Sequence, residues 1–117
     1  MYVISKEFTF SAAHQLRGLP DDHPCSRLHG HNYTVVFVLE AVHLDNIGFV
    51  TDYRQLDTIK VWLDQTWDHR NLNDLMTENP TAEWIAFVLY LRFASEFTSL
   101  RAVRVSETPK TWAEYKP

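Results

Sequence analysis

"YTVVFVLEAV", residues 33–42, is the stretch whose reading decides the fold. β-Branched and aromatic residues fill most of it, and its apolar character is nearly continuous. That pattern predicts a central strand covered on both sides. "HLDNIG" (43–48) then breaks it with turn-forming residues. Upstream, residues 2–10 alternate, with Ile4, Phe8 and Phe10 on one side and Ser5, Glu7 and Thr9 on the other, which predicts a strand with one buried face. "LPDDHPC" (19–25), dense in Pro and Asp, is a loop between the two.

Downstream, a helix opens at Asp52, whose carboxylate can cap backbone amides, with Gln55 placed for a capping box. Tyr53, Leu56, Ile59 and Leu63 form its apolar stripe. "DHRNLNDLMTENP" (68–80) is too polar and too rich in Asn to continue it. A second helix runs from Thr81 or Ala82 to Phe97, apolar around most of its circumference, so more than one neighbour should cover it. "LRAVRVSET" and "TWAEY" close the chain as a hairpin around Pro109. The order ββααββ predicts an α+β fold, a four-stranded antiparallel sheet with two helices on one face, as one domain over residues 1–117.

Composition narrows the functional classes. A formal net charge of −4 argues against nucleic acid as the main partner, because phosphate binding draws on clustered Lys and Arg. One cysteine cannot form an intrachain disulfide, which fits a reducing, cytoplasmic setting. No stretch approaches the roughly 20 apolar residues of a membrane span. Aromatics make up 14% of the chain, which points to extra apolar surface for an oligomer or a flat ligand.

The chemistry sits just ahead of the central strand, in "CSRLHGHNY" (25–33). His29 and His31 are two apart, so in extended backbone they share a face, and Gly30 lets the chain pass close to what they hold. His14 continues the parity of Phe8 and Phe10, so adjacent strands can bring three imidazoles together. Three nitrogen ligands with a fourth position open is the arrangement of catalytic zinc. His23 and His43 lie outside this pattern, and His43 reads as surface. Cys25 fits two arrangements: a fourth ligand closing a structural site, or a thiol beside a cation, ready to take a proton. Spacing leaves both open. Asp68 and His69 could orient such a thiol or relay protons to it. Glu107 shares the parity of Val103 and Val105, so it points to the covered face and needs donors there. No glutamate stands beside the histidine motif as general base, which disfavours a zinc hydrolase. A noncatalytic binder with structural zinc would need no such relay.

In order along the chain, "FTFSAAHQL", "CSRLHGHNY", "VTDYRQL", "DHRNLND", "NPTAE" and "VRVSET" resemble the successive motifs of the 6-pyruvoyltetrahydropterin synthase and 6-carboxytetrahydropterin synthase superfamily. The Cys-x3-His-Gly-His spacing resembles the carboxy branch, which serves queuosine and 7-deazapurine synthesis. The resemblance implies a tunnelling fold whose subunits join sheets into a barrel, as a hexamer of two trimers. It implies that His14, His29 and His31 bind zinc, that Cys25 accepts a proton outside the coordination sphere, and that Asp68 and His69 tune the thiol. It further implies that Glu107 anchors the pterin's guanidine-like edge and joins the catalytic relay, with Thr81 near the ring, and Arg27 is the candidate for triphosphate contact. In the family, association brings the segments around residues 68 and 107 against a neighbour's zinc site. The implied reaction converts 7,8-dihydroneopterin triphosphate to 6-carboxy-5,6,7,8-tetrahydropterin, releasing acetaldehyde and triphosphate. The pyruvoyl branch would keep the side chain instead. Arg70 departs from the second histidine that many relatives carry.

Overall fold

A computed structural model describes residues 1–117. Strands β1 (Tyr2–His14) and β2 (His29–Ala41) form a long antiparallel pair. Helix α1 (Asp57–Thr66), the two-residue β3 (Arg70–Asn71) and helix α2 (Ala82–Phe93) follow. β4 (Leu100–Thr108) and β5 (Thr111–Tyr115) close the chain. The sheet order is β3-β1-β2-β4-β5. Every pairing is antiparallel except that of β3, which runs parallel to β1 through Ala12 and Ala13.

The predicted ββααββ plan holds, with additions. β1 extends past residue 10 to His14, and β2 begins at His29, so the strands carry the histidines themselves. β3 is new, too short to leave a periodic signal. Asp52 caps its segment by accepting from the Arg54 amide at 2.9 Å, but a turn of 3-10 helix (Tyr53–Leu56) precedes α1. Tyr53 is half exposed rather than part of the buried stripe, because that tighter turn displaces it from the α-helical face. α2 ends at Phe93, not Phe97. Phe97 still packs against Phe93, 6.4 Å between ring centres, and this packing prolonged the apolar signal past the last helical turn.

Both helices lie on one face of the sheet. There Phe8, Phe10, Tyr33, Val35, Phe37, Leu39, Val103 and Val105 meet Leu56, Ile59 and Leu63 of the first helical segment and Ile85, Ala86, Leu89 and Phe93 of α2. The expectation that β2 is covered on both sides fails. Its second face carries Asn32, Thr34, Val36, Val38 and Glu40, of which only Val36 is buried, because no element of this chain packs over that side. Val36 and Val38 made the run look apolar throughout. No helix is long and apolar enough to cross a membrane.

Phe10 ties the sheet to the region of the histidines, stacked on Tyr33 at 4.9 Å and tilted against Trp67 at 5.8 Å. Phe10→Ala removes both contacts from a site that is 3% exposed. It should cost about 3–5 kcal/mol in urea unfolding, the range for emptying an aromatic core site.

Candidate active site

His14 ends β1, His29 begins β2, and the two are direct register partners. His31 lies one pleat further and faces the same side. The three ring centres stand 4.6, 4.8 and 4.9 Å apart. One nitrogen from each lies within 4.8 Å of the others. His14 is buried and the other two are half-buried.

Backbone carbonyls orient the rings from behind. His14 Nδ1 donates to the Pro80 carbonyl and His29 Nδ1 to the Arg27 carbonyl, each at 2.7 Å. A carbonyl only accepts, so this network assigns the proton to Nδ1 and leaves each Nε2 a lone pair. Those two Nε2 atoms face each other at 3.0 Å. Two lone pairs so placed repel unless a cation or proton lies between them. His31 Nε2 is buried without a hydrogen-bond partner. Burial holds its pKa below the ordinary histidine value, with His14 and His29 adding to the effect and Glu107 opposing it. Three converging imidazole nitrogens are the protein donor set of catalytic zinc, and the residues fit that ion. Tyr33, its hydroxyl 3.2 Å from His14 Nδ1, keeps its phenol protonated, its pKa raised mainly by burial and also by Glu107.

Cys25 is half-buried in a 3-10 turn (Pro24–Ser26) and is not among the converging donors. Its carbonyl accepts from the Leu16 amide at 2.9 Å, and Gln15 Nε2 donates to the Ser26 carbonyl at 2.8 Å. The cysteine loop is thereby tied to the chain just beyond His14. Two asparagines hold that same chain from the other side. Asn73 accepts from the Gln15 amide and donates to its carbonyl, both at 2.8 Å. Asn79 does the same to Arg17, at 2.8 and 2.7 Å. Each side-chain amide stands in for a neighbouring strand, which explains the Asn-rich stretch that reads only as a loop.

Glu107 reaches the triad from β4, with Oε2 3.7 Å from His31 Nε2. This corrects the expectation that residue 107 serves a neighbour's histidines, for the carboxylate stands beside those of its own chain. Glu107 and Thr81 line a cavity of about 470 Å³ with Trp112, Glu83 and Glu114, and no Lys or Arg lines it. Such a pocket suits a ligand that presents N–H donors. Thr81 also has a structural task, capping α2 by accepting from the Trp84 amide at 3.1 Å.

Asp68 and His69 form a second unit. Asp68 accepts from the Ser11 amide through Oδ1 and from His69 Nδ1 through Oδ2, both at 2.8 Å. The Ser11 amide is the largest influence holding the Asp68 pKa below its ordinary value, followed by the hydrogen bond from His69. His69 has φ +59°, a left-handed backbone rare outside glycine and characteristic of functional positions. Its side chain is 82% exposed and lines a cavity of about 470 Å³ with Arg70, Ser11, Ala13, Asn32 and His31. Ser11, Ala13 and Asn32 are opposite in strand parity to the triad. The cavity takes residues of both parities, and His31 is the one member of the triad in its wall.

A sequence pattern described as 6-pyruvoyl tetrahydropterin synthase matches residues 3–117. The chain belongs to that family. It is similar to the 6-carboxy-5,6,7,8-tetrahydropterin synthase of Synechocystis, 34% identical and covering 98% of this chain and 93% of the relative. The enzyme of the same name from Haemophilus influenzae is 32% identical, covering 99% of each chain. The solved 6-pyruvoyl tetrahydropterin synthase of Caenorhabditis elegans superposes with a TM-score of 0.86 at 28% identity, over 99% of this chain and 95% of that one.

For this member of the 6-pyruvoyl tetrahydropterin synthase family, the site contains groups that sequence reading missed. The Pro80 and Arg27 carbonyls set two imidazoles, and backbone acceptors leave no residue-type signal. Tyr33 was accessible, since it shares the parity of His29 and His31. The Arg27 side chain is exposed, and the residue contributes its carbonyl to His29.

Zinc at about 100 times its dissociation constant should stabilise the chain by about 2.7 kcal/mol. Thermal unfolding with and without zinc measures this, and His29→Ala should erase the difference. Asp68 gives a separate test. Its depressed pKa makes its stabilising contribution complete above the ordinary value of 3.8 and lost as the pH falls through the lower folded value. Asp68→Asn should therefore be less stable than the native chain at neutral pH, with the gap closing in acid urea titrations.

Proposed function

We propose that this protein is a zinc-dependent 6-carboxy-5,6,7,8-tetrahydropterin synthase acting in queuosine or other 7-deazapurine synthesis in the cytoplasm. It would convert 7,8-dihydroneopterin triphosphate and one water to 6-carboxy-5,6,7,8-tetrahydropterin, acetaldehyde and triphosphate. The observation that carries the reading is the convergence of three imidazole lone pairs beside Glu107, at the edge of a cavity lined by carboxylates.

His14, His29 and His31 hold the metal, which when bound supplies Lewis acidity toward the substrate's side-chain hydroxyls. Glu107 accepts hydrogen bonds from the pterin's guanidine-like edge, and Thr81 lines the same pocket. Cys25, outside the nitrogen cluster, takes a proton from the substrate side chain. Asp68 orients His69, which exchanges protons with the thiol. Arg27 meets the triphosphate. The dyad serves the site of an adjoining subunit, in a hexamer of two trimers. The exposure of His69 supports this, because an imidazole held by Asp68 and 82% open to the outside of its own chain can meet a group on an adjoining one.

Mass analysis of the product from the zinc-loaded protein tests the activity, with acetaldehyde as the diagnostic. The structural likeness to the Caenorhabditis elegans enzyme makes a pyruvoyl product, with its three-carbon side chain kept, the second reading. Cys25→Ala should keep about one zinc per subunit and lose turnover by about 100-fold or more, the scale of a general base. His69→Ala should behave alike. Mixing the two inactive proteins under subunit exchange should restore part of the activity. No recovery, or a fully active monomer in sedimentation, would remove the shared site.

A further inference from the structure

β4 loses its regular pairing where it delivers Glu107. Its ladder to β2 ends at the pair Thr34 and Ser106. On the other side, Val105 pairs with Ala113 and Thr108 with Thr111, so Ser106 and Glu107 together oppose the single residue Trp112. This is a β-bulge, and Glu107 has no partner in either neighbouring strand. A residue without ladder bonds has a soft backbone, yet its carboxylate stands 3.7 Å from His31 Nε2.

One local bond spans the gap. The Ser106 hydroxyl donates to the Thr108 carbonyl, closing a ring that contains both peptide units of Glu107. In regular extended backbone that oxygen would lie out of reach, so the bond exists only in the bulged form. Ser106 is 4% exposed, so the donor end of the bond is buried, while Thr108 is exposed.

We infer that Ser106 is the positioning residue of this site: its hydroxyl locks the bulge and so aims the Glu107 carboxylate at the donor edge of the ligand. The inference rests on the proposed reading of Glu107 as the pterin anchor. Its structural half, the locked bulge, stands apart from that reading.

The test compares Ser106→Thr with Ser106→Val, which have nearly equal volume and strand preference but differ in the hydroxyl. Amide hydrogen exchange at residues 107 and 108 should match the native protein in Ser106→Thr and quicken about ten-fold in Ser106→Val, the size of one net hydrogen bond. Equal exchange in the two variants would overturn the proposal whatever the site binds. With neopterin as ligand, followed by fluorescence, Ser106→Val should weaken binding about ten-fold while zinc content holds, and Ser106→Thr should restore it. In a Glu107→Gln background the Val substitution should add no further loss, because the lock acts only through that carboxylate. An equal loss in both backgrounds would assign Ser106 a general structural role and refute the positioning claim. A native protein that fails to bind neopterin would count against the pterin reading, and the exchange comparison would still decide on the lock.

Discussion

The register of the β1–β2 pair is the constraint on which the rest of the molecule depends. The ladder runs unbroken from Tyr2 opposite Ala41 to His14 opposite His29. Side chains alternate with a period of two, so a slip of one residue would turn one strand's buried set to the other face. The same alternation that buries Phe8, Phe10, Tyr33 and Phe37 under the helices points His14, His29 and His31 at one spot. Core and metal centre are thus two ends of one pattern. The burial of the aromatics specifies the register, and the register aligns the imidazoles without any loop having to find its place.

What was legible in the sequence follows from that pattern. Parity alone groups His14 with Phe10, His29 and His31 with Tyr33, and Glu107 with Val105, and the structure groups them so. Parity says nothing about backbone acceptors, and the carbonyls of Pro80 and Arg27 therefore went unread. Nor does it say whether an apolar strand face is covered by the same chain, so Val36 and Val38 were assigned a cover that the chain does not provide. Parity places Glu107 on the right face but not the bulge that frees its backbone, because that irregularity appears only when β4 and β5 are aligned together. Asp68 and His69 are adjacent and recognisable. Their orientation depends on two hydrogen bonds to Ser11, 57 residues from Asp68, and no local pattern carries that.

Charge is divided between the two sides of the sheet. The helix side joins the three histidines to a pocket lined by Glu83, Glu107 and Glu114. The open side places His69 and Arg70 in a cavity that has no carboxylate in its lining. A net acidic protein can in this way offer one cavity to N–H donors and another to anions. Asp68 is committed to His69 and the Ser11 amide through both of its oxygens.

The side-chain amides of Asn73 and Asn79 give the frame around His14 a further property. They hold Gln15 and Arg17 by neutral hydrogen bonds that have no titrating partner and little sensitivity to salt. The strand ends that carry the ligands are thus fixed independently of any ion, and only the imidazoles, whose facing Nε2 atoms repel when nothing lies between them, need to adjust. The conformational cost of bringing the three imidazoles together is met once, when the strands pair.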